Sequence, residues 1–133
     1  MRGLTMVTMI GGLVAGAAGA ETVMDEVRLD ALLTGNTVYI AVPPGGPGGE
    51  TGGLAPFWYG PDGRAVVKLP VGTTLVGSWR IEGDHYCADW ENGPTNSCSR
   101  MVKDGDAIRF FDVASGDPRG EIDHIRPGNP EGY

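Results

Sequence analysis

Gly77-Ser78-Trp79-Arg80-Ile81-Glu82-Gly83-Asp84-His85-Tyr86-Cys87-Ala88-Asp89-Trp90, then the four residues Glu91 to Pro94, then Thr95-Asn96-Ser97-Cys98-Ser99-Arg100-Met101-Val102, is the stretch that decides the fold. It holds both cysteines, two of the three tryptophans and one of the two histidines. Gly83-Asp84 reads as a two-residue turn between alternating runs, and Glu91 to Pro94 as a four-residue loop before the next run. Counting back from that loop sets Trp90 opposite Thr95 and therefore Cys87 opposite Cys98, close enough for a bond. The same register puts Trp79, Ile81, Tyr86, Ala88 and Trp90 on one face, where Met101, Ile108 and Phe110 join them as a core. Arg80, Glu82, His85, Cys87 and Asp89 fall on the other face, with the disulfide outside, near Arg80 and Phe111. A cross-strand bridge of this loop length stabilises by about 3 kcal/mol in the chain-entropy account.

At the N-terminus, Arg2, the apolar run Met6 to Ala18 and the small-residue motif Ala18-Gly19-Ala20 predict a secretory signal peptide over 1–20. The apolar run is shorter than the roughly 20 residues that span a bilayer, and no later run approaches that length, so stable membrane insertion is not expected. No cysteine follows the cleavage site, so a lipid anchor through a lipobox is not supported. Export to the periplasm or beyond is where a cysteine pair is expected to be oxidised. Residues 21–133 carry 9 basic and 17 acidic side chains, a formal charge of −8. An acidic chain without a basic face is a poor partner for nucleic acid or anionic lipid. Residues 21–126 suit a single domain with one modest core.

Along that domain, Glu21 to Leu33 is predicted as the one helix, capped by Thr22, with Val23, Met24, Val27 and Ala31 as its apolar stripe and Gly35 as its stop. Asn36 to Val42 is the first strand. Pro43 to Gly53 contains three prolines and six glycines in eleven residues and is expected as a flexible loop. From Ala55 onward short strands alternate with turns at Gly60-Pro61-Asp62-Gly63, Asp104-Gly105 and Ser115 to Pro118, up to a last strand at Gly120 to Ile125. Residues 127–133 have the composition of a frayed tail. The chain is therefore expected to be mainly β, a small antiparallel meander barrel of seven or eight strands with one N-terminal helix, closed or nearly closed so as to leave no exposed edge.

Candidate chemistry is sparse. His85, Cys87 and Asp89 alternate along one strand, a row that can in principle hold zinc or copper, but neighbours two apart on a strand stand about 7 Å from each other and an oxidised Cys87 has no thiolate to offer. No metal or cofactor is therefore expected. Ser97 and Ser99 lack a nucleophile elbow, and His85 and His124 sit in strand-like runs. Asp104-Gly105-Asp106 lacks the additional oxygen donors of a calcium loop. The aromatic set remains: Trp79 and Trp90 as core, and Trp58 with Tyr59, bordering the Gly/Pro loop, as the expected contact for a small apolar or sugar ligand or for a protein partner.

The order Gly35-Asn36-Thr37, Tyr59-Gly60-Pro61-Asp62-Gly63-Arg64, Gly77-Ser78-Trp79 with Cys87, Trp90 and Cys98, and then Asp104-Gly105 resembles that of small exported proteobacterial proteins of unknown function. The resemblance implies a periplasmic, single-disulfide, β-rich domain and carries no catalytic residue with it. The expectation is a non-enzymatic binding or interaction protein. The alternatives are an inhibitor of a secreted or cell-wall hydrolase, or a small hydrolytic enzyme using His85 or His124 with Asp89.

Overall fold

The structure, a computed structural model, describes residues 21–133; the signal peptide expected over 1–20 lies outside the described residues. Among these residues nine strands follow one another: β1 Glu21–Val23, β2 Asn36–Val42, β3 Gly53–Tyr59, β4 Arg64–Lys68, β5 Thr74–Glu82, β6 His85–Trp90, β7 Ser97–Asp104, β8 Ala107–Asp112 and β9 Pro118–Pro127. Among the described residues a single α-helix, α1, spans Glu26–Leu33. Strands β2 to β9 pair antiparallel in chain order, and β9 returns to β2, so eight strands close an up-and-down barrel with no free long edge. The short β1 lies against the end of β7 beyond the point where β6 stops.

The quoted stretch has the register that its turns impose. Glu82 faces His85, Ile81 faces Tyr86, Trp79 faces Ala88, and Cys87 faces Cys98. The two sulfurs are bonded, with Cα atoms 4.0 Å apart. The disulfide is on the outward face, as alternation requires, yet Cys87 is 0% exposed because Arg80 on β5 and Cys98 on β7 flank it in the sheet. Inward, Val38, Ile40, Ala55, Tyr59, Ala65, Val67, Trp79, Tyr86, Ala88, Trp90, Met101 and Phe110 form one continuous core. Tyr59 sits at its centre, edge-on to Trp79 at 5.2 Å and to Tyr86 at 5.7 Å, the geometry favoured by the ring quadrupoles.

The helix differs from expectation in its start and its phase. Residues 21–23 are extended because they pair with Val102 to Asp104, which delays the helix until Asp25, whose carboxylate accepts from the Arg28 N–H as N-cap. With that start, the buried side chains are Leu29 and Leu33, joined by Met24, while Val27 is 77% exposed. Leu29 and Leu33 join the core cluster beside Val38 and Trp79, so α1 plugs one end of the barrel.

Two further segments are more ordered than their composition suggests. The loop expected to be flexible, 43–53, contains a 3-10 turn at Gly46–Gly48 in which Gly45 N–H donates to Gly49 O, and Gly48 N–H to Gly45 O. Two of its glycines stand where a side chain has no room: a Cβ on Gly48 would lie 1.9 Å from the Pro43 carbonyl oxygen and one on Gly52 2.5 Å from the Val42 carbonyl oxygen. The expected frayed end, 127–133, is tied to β2. Thr37 Oγ1 donates to Gly128 O, Gly128 N–H to Gly35 O, and Tyr39 OH to Glu131 Oε2 at 2.6 Å. Tyr39 is also stacked on His124, its cross-strand partner, at 4.2 Å between ring centroids.

Two variants test this frame. The double variant C87S/C98S loses about 3 kcal/mol of unfolding free energy in urea titrations, as expected for opening a loop with a sequence separation of 11. In G77A the new Cβ would stand 2.1 Å from the Asp89 carbonyl oxygen across the β5–β6 ladder. Backbone has to shift there, so the midpoint falls by the equivalent of about 1–3 kcal/mol.

Candidate ligand cavity

The helix closes one end of the barrel, and the opposite end carries the four connections β2–β3, β4–β5, β6–β7 and β8–β9. Between them opens a cavity of about 560 Å³ that runs into the lumen. Its depth is walled by Phe57, Tyr59, Val67, Tyr86, Ala88 and Phe110, and its rim by Leu69, Leu75 and Trp90. Val42, Pro43, Gly45 and Pro47 bring the Gly/Pro loop over one side of the mouth, so the tight turn of that loop shapes the opening. This is the size and apolar character of a small-molecule site.

Polar groups gather on one wall. Ser97 and Ser99 point inward from β7 because they share a phase with Met101, and Cys98 between them points out. Arg119, at the start of β9, reaches across to them: Nη1 donates to Ser97 Oγ at 2.9 Å and to Ser99 Oγ at 3.0 Å, and Nη2 donates to Asp112 Oδ1 at 2.6 Å. Asp112 is held in turn by the Ser115 N–H and hydroxyl, both donating to Oδ2. Those Ser115 hydrogen bonds first, and then the Arg119 charge, keep the Asp112 carboxyl below its ordinary range against the upward push of burial. Deeper in, the Tyr86 ring meets Tyr59 edge to face, and Tyr86 lies opposite Ser99 across the β6–β7 ladder. Burial pushes both phenols up, Tyr59 further than Tyr86, whose ionised form the Tyr59 and Ser99 hydroxyls and the Arg119 charge favour.

The expected contact pair is split by strand alternation. Tyr59 is inside, 1% exposed at the base of the cavity, while Trp58 is on the outer face, half-buried between the buried Thr37 and Val66 of the neighbouring strands. Only Tyr59 of the two lines the lumen. His85, Cys87 and Cys98 present ligand-type atoms within 4.8 Å of one another on the outer face, but the sulfurs are joined to each other. Asp89, the third member of the expected row, is instead taken up by Arg80 and the Asn96 N–H. His85 and His124 each lie beside the preceding aspartate, on the outside of the barrel.

Sequence reasoning missed Arg119 and Asp112 as site residues. The inward phase of Ser97 and Ser99 was available, since pairing Cys87 with Cys98 already places Ser99 opposite Tyr86. Arg119 was not, because the ladder slips between Phe110 and Phe111 and again between Tyr39 and Ile40, and each slip resets which residues of β9 face in.

The tyrosine pair makes the protein sensitive to alkali in a defined direction. A phenol raised above its ordinary value of 10.0 ionises more readily in the unfolded chain, so its contribution is complete below that value and is lost as pH climbs towards the folded one. Urea midpoints therefore stay level up to about pH 9 and fall above about pH 10, and the Y59F/Y86F variant falls less over the same range. Comparison with family models, curated proteins and solved structures finds no match to this chain, so the geometry of the lumen is what a functional reading has to rest on.

Proposed function

We propose that this protein is a non-enzymatic binding protein of an exported compartment and that it holds a small, mainly apolar molecule in the lumen of its barrel. The observation that carries the reading is the cavity of about 560 Å³, walled mainly by aliphatic and aromatic side chains, with its mouth among the connections at the end away from the helix. An apolar guest gains by leaving water in such a space, on the order of 25 cal/mol per Å² of its surface. A sugar would need many more hydrogen-bond partners than the single polar wall offers, which favours the apolar guest of the two. The disulfide fits an oxidising compartment, and among the described residues no helix is long and apolar enough to cross a membrane.

The competing readings draw less support. The prolines of the Gly/Pro loop border the lumen, an arrangement that suits a cavity rim better than an inhibitory loop inserted into a hydrolase cleft. Both histidines lie outside the cavity, away from Tyr59, Ser97 and Ser99, so the lumen offers no imidazole to a nucleophile.

N-phenyl-1-naphthylamine, whose emission rises in apolar surroundings, tests the assignment. Fluorescence titration is expected to saturate at one probe per protein, to be lost in A88F, which fills the lumen, and to persist in W58A on the outer face. Undiminished binding in a folded A88F, or loss in a folded W58A alone, would move the site out of the barrel.

A further inference from the structure

Arg119 is more than a structural cross-brace. Its guanidinium has five N–H donors, of which three are spent on Ser97, Ser99 and Asp112. The Nε–H and the second Nη2–H have no acceptor among the described residues. No buried side-chain nitrogen there lacks a partner, so the unpartnered Nε is not sealed in protein, and the side chain as a whole is 34% exposed and lines the cavity. A cation with two unspent donors therefore stands at the edge of an otherwise apolar chamber. The three bonds already made hold the fork in place, so little side-chain freedom remains to be lost when a ligand arrives.

We infer that Arg119 is the head-group anchor of this cavity and that the ligand is an amphipathic monocarboxylate, its two oxygens on the unspent donors and its apolar body against Phe57, Leu75, Trp90 and Phe110. The inference rests on the lumen being the binding site. Two planar donors on one fixed cation match the two oxygens of a carboxylate, whereas an alcohol offers only one oxygen and an ammonium is repelled. Asp112 sets the strength of the site. It neutralises part of the Arg119 charge, and the chain as a whole is acidic, so the anchor selects by local geometry and not by a long-range field. The Ser115 hydrogen bonds keep the Asp112 carboxylate ionised and turned towards Arg119, which makes it a competitor of the ligand for the same guanidinium.

The test is displacement of N-phenyl-1-naphthylamine by decanoate, 1-decanol and decylamine, each below its micelle-forming concentration, at neutral pH. Decanoate is expected to displace the probe at a concentration about tenfold lower than decylamine and several-fold lower than decanol. In R119Q the preference for decanoate over decanol collapses towards one. In D112N, which removes the competing charge and retains an oxygen acceptor for Ser115, decanoate binds several-fold more tightly, an effect that a purely structural role for the pair does not produce. Should R119Q fail to fold by circular dichroism, D112N decides: unchanged or weaker decanoate binding overturns the anchor. Equal displacement by all three compounds in the wild type also overturns it while leaving the lumen as an apolar site. A wild-type protein that does not bind the probe at all defeats the lumen reading itself.

Discussion

The pairing of β6 with β7 is the constraint on which the rest of this structure depends. A β-strand has only two phases, and a slip of one residue would exchange the whole inward set for the outward one. The bond between Cys87 and Cys98 permits one of them. With it, Tyr86, Ala88 and Trp90 face the lumen from β6, and Ser97, Ser99 and Met101 face it from β7. The opposite phase would bring Arg80, His85 and Arg100 inside, which no core of this size could satisfy. The covalent link thus does two things: it restricts the unfolded chain, and it fixes which side chains line the cavity.

Closure then divides the interior. Eight short strands enclose a space that their own side chains fill at one end only, where α1 delivers Leu29 and Leu33 and where Tyr59, Trp79 and Tyr86 meet edge to face. At the other end small residues, Ala88, Ser97 and Ser99, leave room, and the connections there are built from proline and glycine. The Gly/Pro loop earns its conformation through internal hydrogen bonds and close backbone contacts, so its lack of bulky side chains keeps the mouth open without leaving the loop unstructured.

The polar wall shows how a charge is kept in such an interior. Arg119 is carried on an acidic chain and half-enclosed by apolar walls, a position that would be costly without partners. Two serines and one aspartate supply them, and Ser115 orients the aspartate in its turn. The hydrogen bonds from Ser115 through Asp112 and Arg119 to Ser97 and Ser99 run along one wall of the cavity, and among the described residues no buried side-chain polar atom is left unpaired. Outside the barrel, Arg80, Glu82, Asp84, His85 and Asp89 form exposed pairs that give solubility and add little to stability.

Local pattern in the chain was enough for the strand succession, the turn at Gly83-Asp84, the partner of each cysteine and the inward face of β5 to β8. All of these follow from a period of two between turn residues, and a period survives without knowledge of what lies across the core. Pattern misjudged α1 because residues 21–23 have a strand partner eighty residues away, and it separated neither Trp58 from Tyr59 nor a mobile loop from a folded one, since composition does not record which backbone atoms approach. The site itself came only with the tertiary structure. Arg119 meets Asp112 across a turn and Ser97 and Ser99 from the next strand but one, after two bulges have shifted the phase of β9. Closure of the sheet, which no local run of residues encodes, is what turns those separated side chains into one wall of a cavity.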